Sequence, residues 1–180
     1  MGYTIGAIIF SRNLSREEET LLSIFVPNSN NSVQAKSLYN AVHVFDITFG
    51  NIAIGHLKNR TLIVNPDISY EFTRDFEFIS VSPAFKELES LSKTVDIFCV
   101  HIQSTSGIYG HALFSNGKRC EAVYKSEDEW ETVFDYPTEK INQETYNSDY
   151  LFQRLNQFVG DDFHRLMTDE NLMFTVYKLE

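Results

Sequence analysis

Two adjacent residues, Asn116 and Gly117, constrain this chain more than any others. They separate the runs Ile108–Ser115 and Lys118–Lys125. Asn-Gly between two apolar runs specifies a type I′ hairpin, because both central positions need positive φ and these two residue types reach it most easily. A two-residue turn also sets cross-strand register. Ser115 is expected opposite Lys118, followed by Phe114–Arg119, Leu113–Cys120, Ala112–Glu121, His111–Ala122 and Tyr109–Tyr124. Opposed residues share a face. Tyr109, His111, Leu113, Cys120, Ala122 and Tyr124 then make the more apolar face, expected to meet the core. Gly110, Ala112, Phe114, Arg119, Glu121 and Val123 make the other.

Further elements surround this hairpin. Tyr3–Phe10 and Val95–Gln103 read as buried strands, rich in aromatic and β-branched residues. Val44–Phe49, Ile52–Leu57, Thr61–Val64, Phe76–Val81 and Met173–Leu179 are further strand candidates. Ser15-Arg16-Glu17-Glu18 fits a capping box ahead of Leu21, Leu22 and Phe25, with Pro27 as the stop. Val33–Val42 reads as a short helix. Ser82 and Pro83 open a helix carrying Phe85, Leu88 and Leu91. Ser148 is expected to cap a helix that buries Tyr150, Leu151, Leu155 and Phe158 and stops at Gly160. Asn65-Pro66 and Pro137 read as breaks. Strands and helices mix without regular βαβ alternation. The expected class is α+β: one domain over residues 1–180, with a largely antiparallel or mixed sheet and helices packed on it.

Composition narrows the functional classes. Of 180 residues 43% are hydrophobic, enough for a packed core, and the net charge is −10. A disordered chain is excluded, and an electrostatic nucleic-acid binder would need a basic footprint. The charge is unevenly spread: residues 121–180 hold 14 acidic and five basic side chains, a net of −9, against −1 for the first 120. Such asymmetry suits a surface that meets a basic protein. Within it, Trp130 stands among Glu127, Asp128, Glu129 and Glu131, and these five are the candidate binding residues. The apolar run at residues 3–10 is too short for a membrane span and has no basic residue ahead of it, and Gly6 does not fit a myristoylation motif. Two cysteines, Cys99 and Cys120, suit reduced thiols in the cytoplasm.

Catalytic signatures are sparse. Cys99 and His101 share one strand face by alternation. If His111 on the neighbouring strand converges with them, the three form the minimal thiolate–imidazole arrangement of a small hydrolase or transferase. Asp161, Asp162 and His164 offer three metal-ligand types in four residues, although Asp after Gly160 equally suits a helix start. No phosphate-binding glycine loop or nucleophile elbow is present, and no cofactor is expected.

The segment from Tyr109 to Arg119, with the acidic stretch Glu127–Glu131 after it and a Met-Gly opening, resembles a group of bacterial proteins of similar size. The resemblance follows the outline of the whole chain, and only the hairpin in it is specific. It implies a bacterial α+β fold and lends no activity. The leading expectation is therefore a non-catalytic protein of inhibitor or immunity type that binds a basic partner. A small enzyme using His101, His111 and Cys99 is one alternative, and a ligand-binding sensor domain with its pocket between sheet and helices is another. Neither membrane nor nucleic acid is expected as a partner, and nothing in the sequence opposes a homodimer.

Overall fold

A computed structural model describes residues 4–26, 32–44, 51–74, 82–134 and 141–178. The strands expected at Val44–Phe49 and Phe76–Val81, and the breaks at Pro27 and Pro137, lie wholly or mostly outside these residues.

Among the described residues nine strands form one sheet, and every described pairing in it is antiparallel. They are β1 (Thr4–Phe10), β2 (Ser32–Lys36), β3 (Asn51–His56), β4 (Thr61–Val64), β5 (Ile97–Gln103), β6 (Ile108–Ser115), β7 (Lys118–Lys125), β8 (Trp130–Phe134) and β9 (Met173–Lys178). Their order across the sheet is β2-β9-β3-β4-β1-β5-β6-β7-β8. Six α-helices are described: α1 (Glu18–Phe25), α2 (Ser37–Val44), α3 (Pro66–Thr73), α4 (Pro83–Leu91), α5 (Ser148–Val159) and α6 (Phe163–Thr168). The class is α+β.

Helices cover both faces of the sheet. On one face, Leu38 and Ala41 of α2, Leu151 and Leu155 of α5 and Phe163 of α6 pack on Ala7, Ile9, Phe98 and Val100. On the other, Leu21 and Phe25 of α1, Phe72 of α3 and Phe85 and Leu88 of α4 pack on Ile8, Phe10, Ile97 and Cys99. A strand with helices on both sides has no solvent face, which is why β1 and β5 are apolar nearly without alternation.

Four local expectations are corrected. The region read as one helix from Val33 to Val42 divides into β2 and α2 at Ser37, whose φ is 74° and whose N–H donates to Leu172 O at 2.8 Å. Pairing of β2 with β9 outweighs the weak helical pattern of Ser32–Lys36. Ser15 does not cap a helix. It begins a 3-10 turn, and no side-chain bond caps either that turn or α1. Asn65-Pro66 starts a helix as well as ending a strand: Asn65 Oδ1 accepts from Ile68 N–H at 2.9 Å and Pro66 takes the first helical position. The cap of α5 is Asn147, one residue before Ser148, accepting from Tyr150 N–H. Gly160, at φ 76°, closes α5 in the left-handed conformation. Ser82 and Pro83 open α4, with the Ser82 hydroxyl accepting from Phe85 N–H.

Candidate functional site

The site is built by an irregularity in the pairing of β6 with β7. Asn116 and Gly117 have φ of 54° and 83°, and Ser115–Lys118 and Phe114–Arg119 pair across them. The next pair is Leu113–Glu121, followed by Ala112–Ala122, His111–Val123, Gly110–Tyr124 and Tyr109–Lys125. Cys120 is therefore the extra residue of a β-bulge, and its thiol donates to Leu113 O at 3.3 Å. A slip of one residue exchanges the two faces of a strand. From Glu121 onward β7 is reversed relative to a regular hairpin: Glu121 and Val123 join His111, while Ala122 and Tyr124 turn to the opposite side. This corrects the faces expected for these residues.

Reversal places a carboxylate beside a buried imidazole. His111 is fully buried and Glu121 is 3% exposed. His111 Nε2 hydrogen-bonds Glu121 Oε1. The same oxygen accepts from Arg154 Nη2 of α5 at 2.6 Å. On the far side of the ring, His111 Nδ1 lies 2.7 Å from the Tyr146 hydroxyl. Tyr146 is held by the edge of Trp130, 5.4 Å between ring centres, and by Lys125, whose ammonium donates to the Tyr146 carbonyl at 2.9 Å. Four residues from β6, β7, the α5 approach and α5 thus make one chain, Tyr146–His111–Glu121–Arg154.

Proton positions follow from charge. Burial makes the imidazolium unfavourable and lowers the His111 pKa, against the pull of the Glu121 carboxylate. Burial also opposes ionisation of Glu121, but the hydrogen bond and electrostatic pull of His111, and then the Arg154 charge, outweigh it and hold the carboxyl below its ordinary range. Glu121 and Arg154 already neutralise each other, so nothing requires a second cation. In the neutral ring, a proton on Nε2 would donate to Glu121 and Nδ1 would accept from the Tyr146 hydroxyl, which also lies 3.3 Å from the Val123 carbonyl. Burial, with Tyr150 and Glu121 nearby, raises the Tyr146 pKa well above that of a free phenol.

The order of groups resembles a nucleophile–base–acid relay, but its phenol end is sealed. Tyr146 is fully buried and firmly protonated, so it offers no reachable nucleophile. The chain reaches solvent at Arg154, whose side chain is 32% exposed. Arg154 lines a depression of about 220 Å³ between the sheet and α5, together with Phe98, Leu113, Gln157 and Phe158. Helical spacing puts Arg154, Gln157 and Phe158 on one side of α5, and Phe158 stacks on Phe98 at 5.3 Å with 26° between ring planes.

The other sequence-derived candidates are arranged differently. His111, paired with Val100, lies on the sheet face of α5. His101, paired with Gly110, and Cys99, paired with Ala112, lie on the face of α3. The three cannot converge, because alternate residues of a strand point to opposite sides. His101 instead meets the edge of the Tyr70 ring at 4.9 Å. Cys99 is fully buried, and desolvation pushes its thiol pKa far up despite Arg119, the reverse of what a nucleophilic thiolate needs.

Asp161 pairs with Arg165, while Asp162 caps α6 by accepting from His164 N–H at 3.0 Å. The His164 ring lies against Phe152, 4.4 Å between centres. Among the described residues no group of three His, Cys, Asp or Glu is placed to hold a metal ion. In the acidic turn, Glu129 and Glu131 both accept from Arg74 Nη2, at 2.8 and 2.9 Å. Trp130 packs inward on Tyr146, so of the five residues expected at a binding surface only Glu127 and Asp128 are exposed without an ion pair among the described residues.

Glu121, Arg154 and Tyr146 escaped the sequence reading. No residue type at Cys120 signals a bulge, so the regular register puts Glu121 on the opposite face and leaves its two partners without a visible target. Among the described residues no helix is long and apolar enough to cross a membrane. No protein-family model matches the chain, and no curated protein or solved structure matches it.

Proposed function

We propose that this chain acts in the cytoplasm by binding a basic protein, without turnover, as an inhibitor or immunity-type protein would. The observation that carries this reading is the acidic end of the sheet. Glu127 and Asp128 stand exposed at the β7–β8 turn, beside edge strand β8. Glu127 and Gln143 border a hollow of about 470 Å³ there, and exposed Glu144 and Asp149 follow in sequence. Unneutralised carboxylates at a sheet edge speed encounter with a basic surface, and salt screens them. Nucleic acid is disfavoured by the same charge. The thiols of Cys99 and Cys120 are free, which suits a reducing compartment.

The test is affinity capture from the native host with wild type and a Glu127→Lys/Asp128→Lys variant, at low and high salt. Supporting the proposal would be a basic protein held at low salt by wild type and lost both in salt and on charge reversal. A partner retained equally in every condition would contradict it.

A second reading, a ligand-binding domain, is favoured by one specific observation. The depression at Arg154 lies between sheet and helix, and a buried network that exposes no other group fixes its one cation.

A further inference from the structure

We infer that the depression beside Arg154 is a binding site for a small aromatic carboxylate. This inference rests on the ligand-binding reading above and specifies its ligand class. Three features of the site select that chemistry.

Its wall is aromatic. The half-buried ring of Phe158, stacked on the buried Phe98, and Leu113 form an apolar lining. Flat apolar surfaces of this kind favour a planar ring over a flexible polar chain. At about 220 Å³ the space is small, below the ~300–1,000 Å³ of pockets that take drug-sized ligands. A single ring with a short acidic arm fits that volume.

Its polar contribution is a cation held in place. Arg154 makes one hydrogen bond among the described residues, through Nη2 to Glu121. A guanidinium carries five N–H donors in a planar fork that matches a carboxylate. Gln157, exposed on the same side of α5, adds an amide donor to the lining. A cationic ligand would find no acceptor on the guanidinium, and a neutral one would forgo the charge-assisted bonds.

Its cation is preorganised. Most exposed arginines must be ordered when they bind, at an entropic cost. Here Glu121 fixes the guanidinium, His111 fixes Glu121, and Tyr146 fixes His111. The buried chain presents a positioned cation at the edge of an aromatic wall.

Backbone-resolved NMR titration of the full chain with benzoate, and separately with benzamide, tests this. Benzoate is expected to shift resonances of Phe98, Leu113, Arg154 and Gln157 and to bind about tenfold more tightly than benzamide. Arg154→Lys retains charge but not the fork, and should weaken benzoate while leaving benzamide unchanged. Leu113→Trp fills the depression from the strand position opposite Glu121, and should abolish binding of both. Equal binding of benzoate and benzamide at these residues would overturn the carboxylate assignment and leave the ligand-binding reading standing. Binding of neither probe at millimolar concentration, or shifts confined to other residues, would overturn both. The comparison of the two probes on wild type holds whether or not the Arg154 variant folds.

Discussion

Replacing His111 by Gln separates a neutral buried imidazole from a buried ion pair. Glutamine keeps the polarity of the neutral ring: its amide N–H donates to Glu121 and its carbonyl accepts from Tyr146. What it removes is a titration. An unfolded histidine has a pKa near 6.5, and burial sets the folded value of His111 lower. A group whose folded pKa is depressed contributes stability that is complete above the unfolded pKa and is lost as pH falls toward the folded value. Below about pH 6.5 the unfolded chain takes up a proton at this site that the native chain refuses. Each pH unit then lowers wild-type stability by up to about 1.4 kcal/mol from this group alone. His111→Gln carries every other titrating group of the wild type and lacks this one.

Urea denaturation followed by Trp130 fluorescence, between about pH 7.5 and 5.5, reads the difference. The variant starts less stable by about 1–3 kcal/mol, through imperfect geometry in a buried network. The wild-type advantage should then shrink as pH falls below 6.5. An imidazolium paired with Glu121 would have a raised pKa and the opposite sign. An advantage that grows on acidification would therefore refute the proton assignment, and parallel curves would refute any His111 titration in this window.

Three further substitutions or reactions test the packing. Gly110→Ala would place a methyl 2.7 Å from Thr73 Cβ and 2.5 Å from its hydroxyl, where α3 crosses β6; overpacking of about 1–3 kcal/mol is expected in chemical denaturation, and a neutral result would mean that α3 does not sit this close. Asn147→Ala removes the cap of α5 and should cost about 1 kcal/mol, with hydrogen exchange accelerated in the first turn of α5. An alkylating agent should modify partly exposed Cys120 in the native protein and reach Cys99 only on global unfolding; equal native rates would contradict the burial of Cys99.

The large divisions of this fold were legible because they depend on patterns that tertiary context rarely overrides. The unbroken apolar runs of β1 and β5 exist because helices cover both sheet faces, and Ser82-Pro83 and Gly160 punctuate helices by their own backbone preferences. Edge strand β2 was not legible. Its alternation over Ser32–Lys36 is short, and only pairing with distant β9 makes it a strand. The helix α3 was hidden because Asn-Pro ends a strand as well as it starts a helix. The functional site was the least legible part. A correct turn at Asn116-Gly117 fixes register only to the first irregularity, and one extra residue at Cys120 moves Glu121 from the face of α3 to the face of α5. A histidine that looked able to join His101 and Cys99 was thereby given Glu121, Tyr146 and Arg154 instead.

The placement of Glu121 beside His111 is the claim on which the site depends, and side-chain nuclear Overhauser contacts from the His111 ring measure it directly. The bulged register predicts contacts from that ring to the Glu121 methylene and the Tyr146 ring. A regular hairpin would set His111 opposite Ala122, so a strong contact from the ring to the Ala122 methyl, with none to Glu121 or Tyr146, would contradict the account.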